Sequence, residues 1–86
     1  MTSPSTIRVA TYNVHACVGR DGRHDPDRVA SVIRELNADV VALQELDLGR
    51  ARSQRADQPR LIAEELNMNV AFCPTVVRHD EQYGHA

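Results

Sequence analysis

The chain of 86 residues contains no tryptophan and no lysine, and only 3% of its residues are aromatic. Scarce aromatic rings argue against a stacking surface for single-stranded nucleic acid, so nucleic acid is an open but not a favoured partner. The formal net charge of −2 provides no overall positive field that would attract nucleic acid or an anionic membrane. All ten basic residues are arginines, which suit phosphate recognition, although a genomic composition bias is the simpler explanation.

Long apolar runs are also missing. No segment approaches the roughly 20 apolar residues that a membrane-spanning helix requires. Residues 1–6 have neither the basic start nor the apolar stretch of a signal peptide, so we expect a cytoplasmic protein without a transmembrane segment. In that compartment the two cysteines, Cys17 and Cys73, are expected to be free thiols.

The apolar residues that are present suffice for one small folded unit. Ten valines, three isoleucines, six leucines and one phenylalanine make 20 of the 86 residues. This fraction exceeds the limit of about 20% below which chains are typically disordered. We therefore predict a flexible terminus over residues 1–6, which has nothing to bury, and a folded unit with a small aliphatic core over residues 7–86.

The first half of the chain predicts a strand, a loop and a helix. Ile7–His15 is rich in β-branched residues, which favours a strand, and glycines place a loop over residues 16–24. Asp25 is a good helix-capping residue, and Pro26 after it suits the first helical position. Apolar residues then recur at helical spacing, and Asn37 suits the left-handed end of the helix. The residues of this apolar stripe are Val29, Val32, Ile33 and Leu36.

The second half repeats this arrangement. Residues 40–46 form an unbroken apolar run ending in Gln-Glu-Leu, which predicts a strand covered on both faces. Asp57 predicts the cap of a second helix that ends at Asn67, and residues 70–77 predict a third strand that Pro74 weakens. A charged turn and an extended segment are expected after that. The order β-α-β-α-β is typical of an α/β fold with right-handed parallel crossovers.

Two polar residues, Asn13 and Glu45, stand at equivalent depths in the first two predicted strands. If those strands are parallel, both side chains lie near the carboxyl edge of the sheet, where open α/β sheets bind ligands. A carboxylate in an apolar strand is costly unless it is paired or bound to a cation. Amide and carboxylate oxygens suit Mg²⁺, Mn²⁺ or Ca²⁺. The alternative is a glutamate that simply reaches solvent at the strand end, as Gln44 and Asp47 would also do.

These residues lie in a recognisable pattern. The segment RVATYNVH, a loop with glycine and DPDRVASVIRELNADVVALQELD together resemble the amino-terminal part of the endonuclease/exonuclease/phosphatase superfamily. Its members are metal-dependent phosphoesterases with a deoxyribonuclease-I-like fold. The similarity continues into RARSQRADQ at residues 50–58 and into the final Tyr-Gly-His-Ala, and thus covers nearly all of the chain from Ile7.

The resemblance implies a fold and a chemistry. The fold is a four-layer α/β/β/α sandwich, of which this chain would form the amino-terminal β-α-β-α-β portion. Glu45 would be a direct Mg²⁺ ligand (with Mn²⁺ as an alternative), and Asn13 beside it would orient metal or phosphate oxygens, so both are expected catalytic and metal-site residues. The metal would neutralise phosphoryl charge while water attacks a phosphate ester. Gln44 would support the ligand, or else bond only to neighbouring strands.

Further residues near this edge are candidate substrate contacts. They are His15, Arg50 and Arg52, and, at positions where relatives place groups near phosphate, Tyr83 and His85. The loop of Arg50, Arg52, Ser53 and Arg55 would hold a phosphate or acidic group, or else be a solvated loop. A metal site made of His15 and Cys17 is disfavoured because no second ligand pair exists. Two residues depart from the family pattern: Ala16 stands where glycine is common, and His85 where asparagine is expected.

The catalytic groups that the family supplies from its carboxyl-terminal half find no match in the sequence. These include an Asp and Asn on a later strand, a phosphate-polarising His and a terminal Asp-His pair. We therefore expect an amino-terminal fragment of a phosphodiesterase or phosphomonoesterase that is inactive alone and lacks the carboxyl-terminal half of its domain. Two alternatives stay open. One is a non-catalytic α/β module that binds a small anion, and the other is a split half that needs a partner chain.

Overall fold

The computed structural model describes residues 6–86. The terminus predicted over residues 1–6 therefore lies, except for Thr6, outside the described residues. Five strands and two helices follow one another, with short 3₁₀ turns at His15–Cys17 and Ala51–Ser53. In chain order they are β1 (Val9–Asn13), α1 (Pro26–Leu36), β2 (Val40–Gln44), β3 (Leu46–Leu48), α2 (Gln58–Leu66), β4 (Cys73–Arg78) and β5 (Glu81–His85). Within residues 6–86 no helix is long and apolar enough to cross a membrane.

Both helices begin and end where the sequence predicts. The Asp25 carboxylate accepts the backbone N–H of Arg28 at 3.2 Å, and Asp57 caps α2 in the same way. Asn37 and Asn67 end the helices in the left-handed conformation, with φ of 50° and 54°. Asparagine tolerates this conformation better than most residues, and it turns the chain directly into the next extended segment. The two helices pack against each other over the core.

The strands form two differently paired groups. β1 and β2 are parallel, with Val9 opposite Val40 and Asn13 opposite Gln44, as predicted. β3, β5 and β4 form an antiparallel sheet in that order, so the strand after α2 does not continue the parallel pattern. The reason is that β5 lies between β3 and β4: a loop of only two residues pairs it antiparallel with β4, and its other edge pairs with β3.

A bulge at Glu45 joins the two groups. Glu45 separates β2 from β3 and has a left-handed backbone, with φ of 61°. On one side Leu43 exchanges two backbone hydrogen bonds with Ala86, at 2.7 and 3.0 Å, and on the other Leu46 pairs with Gly84. Two residues, Gln44 and Glu45, therefore oppose His85 alone. Such an extra residue re-aims a side chain relative to a regular strand.

The core lies between the helices and the strands. Leu46 and Ile62 are fully buried there, together with Ala30, Ile33 and Cys17. The beginnings of β1 and β2, in contrast, expose apolar side chains, with Val9 at 69% and Val40 at 53% of their full area. The unbroken apolar run at the start of β2 is thus only partly covered by residues 6–86.

Candidate functional site

Asn13 and Glu45 meet at the carboxyl ends of β1 and β2. Asn13 is the last residue of β1 and lies opposite Gln44, so the bulge that follows Gln44 brings the Glu45 side chain beside it. The Asn13 amide nitrogen donates a hydrogen bond to the Glu45 carboxylate. The Asn13 oxygen accepts the backbone N–H of His15 at 3.0 Å. The structure therefore brings together the two residues that the sequence singles out. Hydrogen bonds hold both the nitrogen and the oxygen of the Asn13 amide.

The chain after β1 folds over Glu45 in an unusual turn. His15, Ala16 and Cys17 all have left-handed backbones, with φ of 52°, 52° and 60°. Each such residue other than glycine costs roughly 1–2 kcal/mol. The turn is held because the Ala16 N–H donates to the Glu45 carbonyl at 2.6 Å and the Ala16 carbonyl accepts the buried Gln58 amide at 2.8 Å. Strain of this kind is often found where a side chain must be placed for function.

Three hydrogen-bond donors, from Asn13, Tyr83 and His15, lie beside the Glu45 carboxylate. Hydrogen bonds from Asn13, and after it from Tyr83 and His15, hold the pKa of the Glu45 carboxyl below its ordinary value. The His15 Nδ1 lies 3.5 Å from a Glu45 oxygen. Of the Glu45 side-chain surface, 33% is exposed to solvent. Partial burial, followed by the contact with Glu45, raises the pKa of Tyr83. Glu45 is therefore an ionised and accessible carboxylate at neutral pH.

A cavity of about 280 Å³ opens beside this carboxylate, and we call it the Glu45 cavity. Its walls carry one acid, one arginine, two histidines and a tyrosine hydroxyl, so charges of both signs face the same space. The Arg52 guanidinium carbon lies 5.5 Å from the centre of the Tyr83 ring. The lining residues are His15, Ala16, Val18, His24, Glu45, Arg52 and Tyr83.

Behind the cavity lies a polar cluster, the Asp47 cluster, which consists of the buried Asp47 and Gln58 and the partly exposed Arg52. Asp47 is completely buried and accepts two hydrogen bonds from Arg52, at 2.7 and 2.8 Å. Gln58 is equally buried, accepts the Asp47 N–H at 2.9 Å and donates to Ala16. The cluster thus fixes Arg52 beside Tyr83 and ties the strained turn to α2.

Sequence reasoning missed this cluster. The alternative in which Asp47 reaches solvent at the strand end is wrong, because Asp47 is completely buried and paired with Arg52. A signal was available, since an aspartate within the apolar run Leu-Asp-Leu needs a partner and Arg52 follows five residues later. His24 was also missed as a wall of the cavity, where its ring nitrogen contacts the Ala16 carbonyl at 2.8 Å.

The other predicted residues lie around this centre. Gln44 donates to the Thr11 hydroxyl at 3.0 Å and to the Ala42 carbonyl, so its amide bonds within β1 and β2. His85 is exposed opposite the bulge, and Arg50 lines a separate cavity that also contacts Tyr83. Of the remaining loop residues, Arg55 bonds to the Gly49 carbonyl and Ser53 is buried.

The two cysteines are free and differ in exposure. Cys73 is exposed in β4, whereas Cys17 is buried in the core. Burial, with the nearby charges of Asp47 and Asp25, raises the pKa of the Cys17 thiol to about 12. Cys17 is consequently a neutral core residue, whereas the His15 side chain is exposed.

The donor set at Glu45 suits one kind of metal ion. Among residues 6–86 no three His, Cys, Asp or Glu side chains are grouped so that they could hold a metal by themselves. Mg²⁺ is nevertheless often held by one or two carboxylates, with water and substrate phosphate as the other ligands. Glu45 offers such a carboxylate, and Asn13 positions it through its amide nitrogen. The residues present therefore fit a magnesium ion that has Glu45 as its ligand from this part of the chain.

Comparison with known proteins agrees with this fold. The crystal structure of an endonuclease/exonuclease/phosphatase from Beutenbergia cavernae DSM 12333 is similar to this chain, with a TM-score of 0.69 and 28% sequence identity. The match covers 92% of this chain and 24% of the other, so the chain spans only that part of its solved relative. A search of curated proteins finds no match.

The family itself is established by a sequence model. The model described as the PGAP2IP C-terminal nuclease-like domain matches residues 4–85. The resemblance seen in the Asn13 and Gln44-Glu45 segments is thereby confirmed, as is the α/β architecture of the deoxyribonuclease-I-like type. The chain belongs to the family of PGAP2IP C-terminal nuclease-like domains, within the endonuclease/exonuclease/phosphatase superfamily.

Proposed function

We propose that this chain forms the amino-terminal wall of the active site of a Mg²⁺-dependent phosphoesterase. The observation that carries the proposal is the Glu45 carboxylate, which Asn13 holds at the edge of a cavity with Arg52 and Tyr83. An acid and an arginine side by side suit a metal ion and the phosphate that it binds. Membership of a nuclease-like family supports the same chemistry.

Each residue has a proposed role. Glu45 binds Mg²⁺ and Asn13 orients the Glu45 carboxylate. When bound, the metal would supply charge neutralisation at a phosphoryl group and stabilise the leaving oxygen. Arg52, fixed by Asp47, donates hydrogen bonds to phosphate oxygens, and the Tyr83 hydroxyl and the exposed His15 ring contact the ester. Arg50 and His85 contact more distant parts of the substrate.

We further propose that residues outside this chain complete the reaction. Residues 6–86 offer no second acid at Glu45 that would activate a water molecule, since Asp47 is buried and already paired with Arg52. The remaining groups would come from a longer polypeptide or from a partner chain. The chain alone is then expected to bind Mg²⁺ weakly and to show no turnover of phosphate esters.

The proposal is tested by metal binding. We expect Mn²⁺, used as a paramagnetic probe for Mg²⁺, to broaden the NMR signals of Asn13, His15 and Glu45 first, and Mg²⁺ to suppress the broadening. Glu45→Gln should abolish this localised broadening, whereas the exposed helix variant Glu35→Gln should leave it unchanged. Broadening that is equal in both variants would contradict the metal site.

A second measurement tests whether the chain is incomplete. Purified residues 1–86 should not hydrolyse bis(p-nitrophenyl) phosphate in the presence of Mg²⁺. Turnover that Glu45→Ala abolishes would show a self-sufficient enzyme and overturn this part of the proposal. Phosphate binding that is indifferent to Mg²⁺ and to Glu45, but lost with Arg52, would instead favour a non-catalytic anion-binding module.

A further inference from the structure

A second cavity lies on the other side of the candidate site, and we call it the Arg50 cavity. Its volume is about 240 Å³, and it opens between the loop after β3 and the β4–β5 hairpin. Two arginines, one acid and the Tyr83 ring surround it. The lining residues are Arg50, Val76, Arg78, Glu81, Gln82 and Tyr83.

The hairpin register places several of these side chains on one face. Val76 lies opposite Tyr83, and Arg78 lies opposite Glu81. Residues directly opposite each other in an antiparallel pair project to the same face, and alternate residues of one strand share that face. Arg78 and Tyr83 therefore project toward the loop that carries Arg50. The Arg50 guanidinium carbon lies 6.0 Å from the centre of the Tyr83 ring.

The two arginines of this cavity are not neutralised within the described part of the chain. Among residues 6–86, neither Arg50 nor Arg78 forms an ion pair, whereas Arg52 and Arg55 do. Glu81, the one acid in the lining, is occupied elsewhere. Its carboxylate accepts the Ala51 N–H at 2.8 Å and lies 4.0 Å from Arg55. Two open guanidinium groups thus face a pocket whose only carboxylate already has partners.

Tyr83 belongs to both cavities. It contacts Glu45 on one side and lines the Arg50 cavity on the other, with Arg52 and Arg50 near its ring. We infer that the Arg50 cavity binds a second phosphate group of the substrate, so that the ester held at Glu45 is one of two phosphates on a small molecule. The Arg50 and Arg78 guanidinium groups would bind this second phosphate. The substrate class rests on the proposed function of Glu45, but the phosphate site itself does not.

The first test examines the phosphate site by itself. Inorganic phosphate is titrated into the chain in the presence of EDTA, and arginine side-chain and β4–β5 amide NMR signals are followed. We expect saturable shifts at Arg50 and Arg78, and an affinity about ten-fold lower in the double variant Arg50→Gln/Arg78→Gln. The matched control Arg20→Gln/Arg23→Gln removes the same charge from an exposed loop and should bind as the wild type does. Equal weakening in both double variants, or no saturable shift, would overturn the inference.

The second test examines whether both phosphates belong to one substrate. With saturating Mg²⁺, glucose 1,6-bisphosphate should bind about ten-fold more tightly than glucose 1-phosphate, and Arg50→Gln/Arg78→Gln should remove the difference. Equal affinities for glucose 1,6-bisphosphate and glucose 1-phosphate would overturn the inference even if inorganic phosphate binds. Loss of metal binding at Glu45, with phosphate still bound at Arg50 and Arg78, would instead reject the proposed function and leave the phosphate site standing.

Discussion

Glu45 and Asp47 lie two residues apart in the same run of chain but have opposite surroundings. Asp47 is completely buried, and two hydrogen bonds from Arg52 satisfy both of its oxygens. Glu45 keeps a third of its side chain exposed, and its donors leave one side of the carboxylate open to the Glu45 cavity. The Asp47 carboxylate is therefore fully paired within the fold, whereas the Glu45 carboxylate can still bind a ligand.

The bulge accounts for this difference. In a regular strand, residues two apart project to the same face and would share one environment. The left-handed backbone of Glu45 interrupts the strand, so β3 pairs with β5 and is covered while Glu45 turns toward the end of β1. Burial with a full set of partners makes an acid structural, whereas partial exposure with donors on one side leaves it able to bind a cation.

The largest expected effect comes from breaking the Asp47 cluster. Arg52→Gln leaves the buried Asp47 carboxylate without its charged partner, which should lower the free energy of unfolding by about 3 kcal/mol. This figure lies at the lower end of the usual range because 45% of the Arg52 side chain is exposed, so water can replace part of the lost interaction. Urea denaturation followed by circular dichroism measures the change.

Two further variants make that result specific. Arg28→Gln removes the exposed pair with Asp21 and should leave the urea midpoint essentially unchanged. Asp47→Asn combined with Arg52→Gln removes both charges and should recover most of the stability that Arg52→Gln loses. A double variant as unstable as Arg52→Gln would show that Asp47 is not a structural ion-pair partner.

A second prediction concerns the charge of Glu45. Asn13→Ala removes the first of the hydrogen bonds that lower its pKa, so the pKa of Glu45 should rise toward its ordinary value. Carbon-detected NMR titration of the Glu45 carboxyl in EDTA measures this directly. Asn69→Ala, at a distant loop position, serves as the matched control and should leave the titration unchanged.

The sign of the accompanying pH dependence follows from the direction of the shift. A carboxyl whose pKa is lower in the folded state than in the unfolded chain stabilises the protein above its ordinary pKa. That contribution is lost as the pH falls through the lowered folded value. Glu45 causes part of the fall in the free energy of unfolding at acid pH, and Asn13→Ala should make that part smaller. An unchanged fall at acid pH would refute the Asn13 contact.

The smallest effect is expected from Ala16→Gly. Ala16 is 5% exposed, so the variant loses a buried methyl group, but glycine relieves the left-handed backbone at φ of 52°. These contributions should nearly cancel, leaving the free energy of unfolding within about 1 kcal/mol. Ala30→Gly loses an equally buried methyl inside α1 and should cost about 2 kcal/mol, because helix propensity is lost as well. Equal costs at the two positions would show that the turn over Glu45 is unstrained.

Much of the local structure could be predicted because it depends on neighbouring residues. The caps Asp25 and Asp57 and the helix ends at Asn37 and Asn67 involve contacts within a few residues. The position of Asn13 beside Glu45 was also predictable, since a helix of this length between two strands favours a parallel pair with its carboxyl ends together. The contacts of Tyr83 could not be predicted from neighbouring residues, because Tyr83 lies 38 residues beyond Glu45 in sequence.

By itself the sequence determined the helices, the parallel β1–β2 pair, the family resemblance and the choice of Glu45 as the acid to examine. Only the tertiary structure decided which of the two neighbouring acids is open. The sequence does not show that Asp47 is buried and Glu45 is accessible, because their burial depends on the bulge and on β5 pairing across 36 residues from Asp47 to Tyr83. The partner that neutralises a charge is fixed by this long-range packing, and so is the division of the arginines into Arg52, which is paired, and Arg50, which is open.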